Sequence, residues 1–190
     1  MLPLGDEIFL EEFEMNKSIS LLAATAASSL AYGDVIDIDL TGVNSNDGLG
    51  EAFNEVLSYD LGDIVLTGIA WDNVQADGFG SPSWGNEMTM NVNGAFSISF
   101  FPSEGSGSAG GPWGPASSGG IIDLEGALGS YVALEGAALT LEFFEAYDDA
   151  AGATDATYTS GIVTIEYSVV PAPGALALLG LAGMGRRRRS

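Results

Sequence analysis

"DVIDIDL", from Asp34 to Leu40, puts Ile36, Ile38 and Leu40 on one phase of a two-residue period and Asp37 and Asp39 on the other. Successive side chains of an extended chain point to opposite faces, so this alternation describes a strand with one dry face and one wet face. The same pattern recurs along the chain in "DIVLTGIAW" (Asp63 to Trp71), "MTMNV" (Met88 to Val92), "AFSISFF" (Ala95 to Phe101), "ALTLEFFEAY" (Ala138 to Tyr147) and "GIVTIEYSVV" (Gly161 to Val170). "GIIDL" and "YVALE" read as shorter strands, and "EAFNEVLSYDLG" (Glu51 to Gly62) fits a strand or a turn of helix. About eight or nine short strands separated by Gly, Asp and Asn turns predict an all-β domain, an antiparallel β-sandwich of jelly-roll type. One segment stands apart, "EGSGSAGGPWGPASSGG" from Glu104 to Gly120. Its Gly, Ser and Pro content predicts a flexible connection or a binding loop with Trp113 at its middle.

A chain of 190 residues with 46% hydrophobic side chains is long enough for one domain with a core of its own. It has no cysteine and no histidine, which removes disulfides, thiol and imidazole catalysis, and the usual zinc ligands. Its charge is lopsided, with 26 acidic residues against five basic ones. Those five are Lys17 and Arg186, Arg187, Arg188 and Arg189, so no Lys or Arg occurs between Ala31 and Gly185. Five acids precede Met15, and the remaining 21 all fall in that basic-free stretch. Such a surface repels phosphate backbones and anionic lipid and attracts cations, so nucleic acid is not an expected partner.

Lys17 stands before "SISLLAATAASSLA", an apolar run closing on Ser29-Leu30-Ala31. A basic flank, an apolar centre and a small-x-small exit are the parts of a secretory signal, here 15–31, with cleavage expected between Ala31 and Tyr32. The preceding "MLPLGDEIFLEEFE" (1–14) is acidic, the reverse of a signal's opening region, and reads as an extension ahead of a true start at Met15. The predicted domain then occupies 32–170.

After it, Pro171 and Pro173 end strand pairing, and Gly174 to Gly185 form an apolar run of about a dozen residues, short for a permanent span. The arginines that follow form a membrane stop on the cytoplasmic side, and the expected segment 171–190 is a short transmembrane sorting helix. The combination of a short motif, an apolar helix and a terminal arginine cluster resembles the PEP-CTERM sorting signal of Gram-negative bacteria in its "VPAP" form. Val170, Pro171, Ala172 and Pro173 stand at the motif, with Ala172 in place of the family's glutamate. The resemblance implies export across the inner membrane by the secretion machinery. It further implies recognition by an exosortase, cleavage near the motif, and release or attachment at the cell surface or extracellular matrix. "LTGIAWD", "SPSWGNEMTM" and "LEFFEAYDDAAGATDATYTSGIVTIEY" are similar to domains found in front of such tails, related in pattern to P-domain-like jelly rolls over roughly Gly33 to Val169.

No G-x-S-x-G, P-loop or metal-protease motif is present, and no catalytic residue is assigned. "EAYDDAAGATD" offers Glu145, Asp148, Asp149 and Asp155 across one turn, either a calcium site or a solvated turn. Trp71, Trp84 and Trp113 fit either core packing or a sugar-stacking platform, Trp113 being the candidate ligand-binding residue. The expected role is that of a non-enzymatic surface or matrix protein. The alternative is a carbohydrate-binding module, calcium-dependent if the acidic turn takes a metal, with an extracellular polysaccharide as partner.

Overall fold

A computed structural model describes residues 33–79, 84–105, 110–147 and 152–171. The signal segment with Ala31 and Tyr32, Asp148 and Asp149, and the tail from Ala172 through Pro173 to Arg186, Arg187, Arg188 and Arg189 lie outside the described residues. The strands run β1 (Asp34–Asp39), β2 (Asn44–Ser45), β3 (Glu55–Tyr59), β4 (Ile64–Gly78), β5 (Met88–Val92) and β6 (Phe96–Ser99). They continue as β7 (Trp113–Ala116), β8 (Ile122–Asp123), a short helix α1 (Leu124–Leu128), β9 (Val132–Leu134), β10 (Leu139–Glu145) and β11 (Ala156–Val169). Among the described residues no helix is long and apolar enough to cross a membrane.

All pairs are antiparallel and fall into two sheets. The larger has the order β1-β11-β4-β7, with β2 also on β11 and β8 and β9 also on β4; the smaller has the order β3-β10-β5-β6. The alternation read from the sequence is what separates core from solvent. Ile38 and Leu40 are buried while Asp37 and Asp39 are exposed, and Leu139, Leu141 and Phe143 form the inward row of β10. The inward rows of both sheets meet in one core, with Ile64, Leu66 and Ile69 of β4 and Val163 and Ile165 of β11 on one side and Met88, Met90 and Val92 on the other. A Phe143 to Tyr158 edge contact, ring centroids 5.5 Å apart, crosses between the sheets.

Two expectations are corrected. The Gly- and Pro-rich segment from Glu104 to Gly120 is not only a connection: its Trp113–Ala116 forms β7 on β4. Trp113 is 1% exposed, its ring 6.4 Å from that of Phe101, so the indole is a core group and not a loop-tip platform. The glycines around it are what admit it, since a Cβ on Gly78 or Gly85 would meet the indole at 2.6 or 2.8 Å. "GIIDL" is likewise only a strand at Ile122–Asp123, after which the chain turns into α1. Asp123 accepts from Gly126 N–H at 2.9 Å as N-cap, and Gly129 closes the helix at φ +83°.

The longest pair, β4 with β11, does not run straight. Its register shifts around Ser160 and again between Glu166 and Tyr167. At the first break Asn73 takes φ +50° and Gly161 takes φ +130°. Ser160 Oγ donates to Asn73 carbonyl at 3.0 Å and accepts from Gln75 Nε2 at 2.9 Å, replacing ladder bonds that the bulge removes. A Cβ on Gly161 would stand 2.6 Å from Val74 Cα, and one on Gly114 of β7 would overlap Val74 carbonyl.

Gly161→Ala is therefore expected to destabilise the protein by about 2 kcal/mol or more, from a φ closed to side chains and a backbone overlap together. Gly94→Ala, at φ +69° with open space around it, should cost only about 1 kcal/mol. Chemical denaturation of the two variants checks the ordering; equal costs would show that the bulge yields.

Candidate functional site at the loop end

One end of the two sheets gathers the groups that core packing does not explain. Glu145 pairs with Met88, Phe143 with Glu55, and Ala156 with both Gly78 and Ser45, so these strand ends are neighbours. The connections leaving Ser45, Gly78 and Glu145 therefore emerge together. Backbone bonds lock the corner: Glu145 N–H donates to Asp47 carbonyl at 3.0 Å, Ala146 N–H to Glu87 carbonyl at 2.8 Å, and Asp155 N–H to Ser45 carbonyl at 3.1 Å.

All four buried acidic residues among the described ones lie here: Glu145 at 2% exposure, Asp155 at 4%, Glu87 at 8% and Asp47 at 9%. Asp47 Oδ1 accepts from Gly152 N–H at 2.6 Å, and Glu87 Oε2 accepts from Trp84 N–H at 3.2 Å. Glu145 is placed by parity. It follows Leu139, Leu141 and Phe143 on the inward phase of β10, so the alternation that builds the core carries a carboxylate into its edge. Tyr158, fully buried, faces Phe143 from β11. Burial pushes its phenol well above the ordinary value of 10.0, and the charge of Glu145 pushes it the same way. Among the described residues its hydroxyl, Ser45 Oγ and Asn46 Oδ1 are buried and find no hydrogen-bond partner.

Of the residues expected to form a calcium site, the structure brings Glu145 and Asp155 to one corner, while Asp148 and Asp149 lie outside the described residues. No three acidic side chains among the described residues converge as a ready-made metal cage. Ser45, Asn46, Asp47 and Tyr158 were not anticipated, since no motif links Asn44 to Asp47 with a corner built by Glu145 and Tyr158. The legible signal was the glutamate on the apolar phase of "LTLEFFE". Around the corner Phe53, Phe79 and Tyr147 are 51%, 58% and 66% exposed, an aromatic rim on loops leaving the same strand ends.

At the opposite end, a depression of about 330 Å³ is lined by Asp60, Gly62, Asp63 and Gly136 to Ala138. Its carboxylates are engaged by backbone, Asp60 accepting from Gly62 N–H of its own turn at 3.2 Å and Asp63 from Gly136 N–H of the turn before β10 at 2.8 Å. No family model, curated protein or solved structure matches the chain.

Burial and Glu145 disfavour the ionised form of Tyr158, so below pH 10 the phenol is neutral in both folded and unfolded chains and no stability is lost. Above that pH the unfolded chain releases its proton first, and folding loses stability. Thermal unfolding between about pH 9 and 11 is expected to show a falling midpoint, with a shallower fall in Tyr158→Phe. Tyr131, raised first by the charge of Asp123, contributes in the same sense and remains in the variant. Identical slopes would remove Tyr158 as a cause.

Proposed function

We propose that the chain is a secreted, non-enzymatic surface or extracellular-matrix protein of a Gram-negative-type bacterium, with a jelly-roll body and a PEP-CTERM-like tail read by an exosortase. The observation that carries this reading is where the folded body stops. β11 ends at Val169, Val170 N–H donates to Asp63 carbonyl at 2.8 Å, and Pro171, with no N–H to offer, cannot extend the pairing. The motif Val170-Pro171-Ala172-Pro173 thus begins where the sheet ends, so a processing enzyme would not have to unfold the domain to reach it. In support of the jelly roll, first and last strands are neighbours, β1 on β11, and no two consecutive long strands in the larger sheet pair with each other.

The same geometry gives the body a direction. Asp34 pairs with Tyr167 near the tail end of β11, whereas the acidic and aromatic corner sits at its Ala156 end. Fourteen residues of strand span about 45 Å, so a protein tethered by its tail holds that corner outward. Before processing, the membrane is a partner through the tail; afterwards the matrix is. The 21 carboxylates of the basic-free stretch argue against nucleic acid and for hydrated, cation-rich surroundings.

Expressed in a host carrying an exosortase, the exported protein should begin at Tyr32 and end within a few residues of Pro171 by intact mass. Replacing Pro171 and Pro173 with Ala should hold the full-length form in the membrane fraction. Exported protein that retains Arg186 to Arg189 would overturn the reading.

A second reading, carbohydrate binding, is favoured by the exposed rim of Phe53, Phe79 and Tyr147 rather than by Trp113. Under it, retardation on a gel containing the host's extracellular polysaccharide falls at least fivefold in Tyr147→Ala. Unchanged retardation in that variant would remove the rim from consideration.

A further inference from the structure

Of the four buried carboxylates at the loop corner, Glu145 and Asp155 are the deepest, in a chain with no Lys, Arg or His between Gly33 and Gly185. Burying a carboxylate costs free energy that hydrogen bonds, a proton or a cation can offset. The polypeptide of the body supplies no cationic side chain for that purpose. Glu145 enters from β10 of the smaller sheet, and Asp155 stands at the start of β11 in the larger one, its N–H fixed to Ser45 carbonyl.

Independent of the acids, three neutral oxygens at the same corner lack partners. Tyr158 Oη and Ser45 Oγ belong to residues that are 0% exposed, and Asn46 Oδ1 to one that is 5% exposed. Their positions follow from the fold. Ser45 lies directly opposite Ala156, Tyr158 is two residues further on the same inward face of β11, and Tyr158 meets Phe143, two residues before Glu145. Asn46 spends its amide on Phe53 carbonyl at 2.9 Å, which leaves its oxygen, an acceptor, to face something positive. Buried oxygens without any hydrogen-bond partner are rare in folded proteins; Asn46 Oδ1 can only accept, the two hydroxyl oxygens have lone pairs to offer, and three at one corner point to a missing positive partner.

We propose that this corner binds one divalent cation, calcium, through the carboxylates of Glu145 and Asp155 and the neutral oxygens of Ser45, Asn46 and Tyr158. An all-oxygen set of mixed charge suits calcium, which takes six to eight such ligands in flexible geometry, better than magnesium, which requires a tight octahedron. Because its ligands come from both sheets, the ion acts as a clasp across the sandwich, in a chain that has no cysteine for a disulfide.

The test uses the exported protein, freed of metal with EDTA and then titrated with calcium chloride, magnesium chloride, or sodium chloride of matched ionic strength. Calorimetry should give one calcium per chain. At a hundredfold excess over the dissociation constant, calcium should raise the thermal midpoint by roughly 5–10 °C beyond the matched sodium control. Glu145→Gln, which keeps the shape and removes the charge, should fold in EDTA at least as stably as the parent and bind calcium at least tenfold more weakly. Asp37→Asn, on the exposed face of β1, should bind as the parent does. Should Glu145→Gln fail to fold, Ser45→Ala, which removes one neutral ligand, is expected to weaken calcium binding at least threefold, and unchanged binding by it would overturn the proposal. An equal response to calcium and matched sodium chloride, equal binding of magnesium, or full calcium binding by a folded Glu145→Gln would each overturn the proposal.

Discussion

The antiparallel pairing of β4 with β11 is the constraint on which the rest of the larger sheet depends. It runs from Ile64 opposite Val169 to Gly78 opposite Ala156, and every other strand of that sheet is hydrogen-bonded to one of the two. β1 and β2 lie on β11, and β7, β8 and β9 lie on β4. Two strands this long would carry a large twist if they were continuous. The breaks at Ser160 and Gly161 and the positive φ of Asn73 divide the pair into segments that bend over the core. Val74 is the pivot, and glycines on both flanking strands are what let the three backbones close on it.

A second constraint is charge. With no basic side chain in the body, its carboxylates are answered by amide N–H groups and hydroxyls. Asp39 accepts from Thr41 N–H and Oγ1 at 2.9 and 2.7 Å, which holds its carboxyl below the ordinary value, and Asp37 accepts from Thr164 Oγ1 at 2.6 Å. Glu142 Oε1 gathers Gly50 N–H at 2.6 Å and Asn54 Nδ2 at 2.8 Å, pinning the loop after β2 to the outer face of β10. These are charge-assisted bonds, stronger than neutral ones, and each shapes a turn. The acids that elsewhere would pair with Lys or Arg here organise backbone.

How much of this was legible in the sequence follows from the range of each signal. Alternation over five or more residues located β1, β5 and β10 closely, because period two is local and the core enforces it. β4 and β11 each run beyond the pattern that announced them, since bulges at Gly161 and Asn73 shift the phase and hide the continuation. β7 was obscured by its own composition: Gly, Pro and Trp read as a loop, yet tertiary contact with Ala76 and a socket of glycines make Trp113 a core residue. α1 had a local signature, Asp123 before it and Gly129 after, that the neighbouring isoleucines outweighed. The corner of Glu145 was half visible as a glutamate on the apolar phase of β10, while Ser45, Asn46 and Tyr158 reach it only through the fold.

The junction of β11 with Pro171 has a mechanical consequence. A pull on the chain beyond Pro171 enters β11 along its own axis, with β1 on one side and β4 on the other. Ladder bonds lie across that axis, so the load is shared in shear among many of them and they do not open one after another as in a zipper. An inner strand gripped from both flanks is a stronger point of traction than an edge strand. The chain thus leaves its folded body at a point suited to bearing tension.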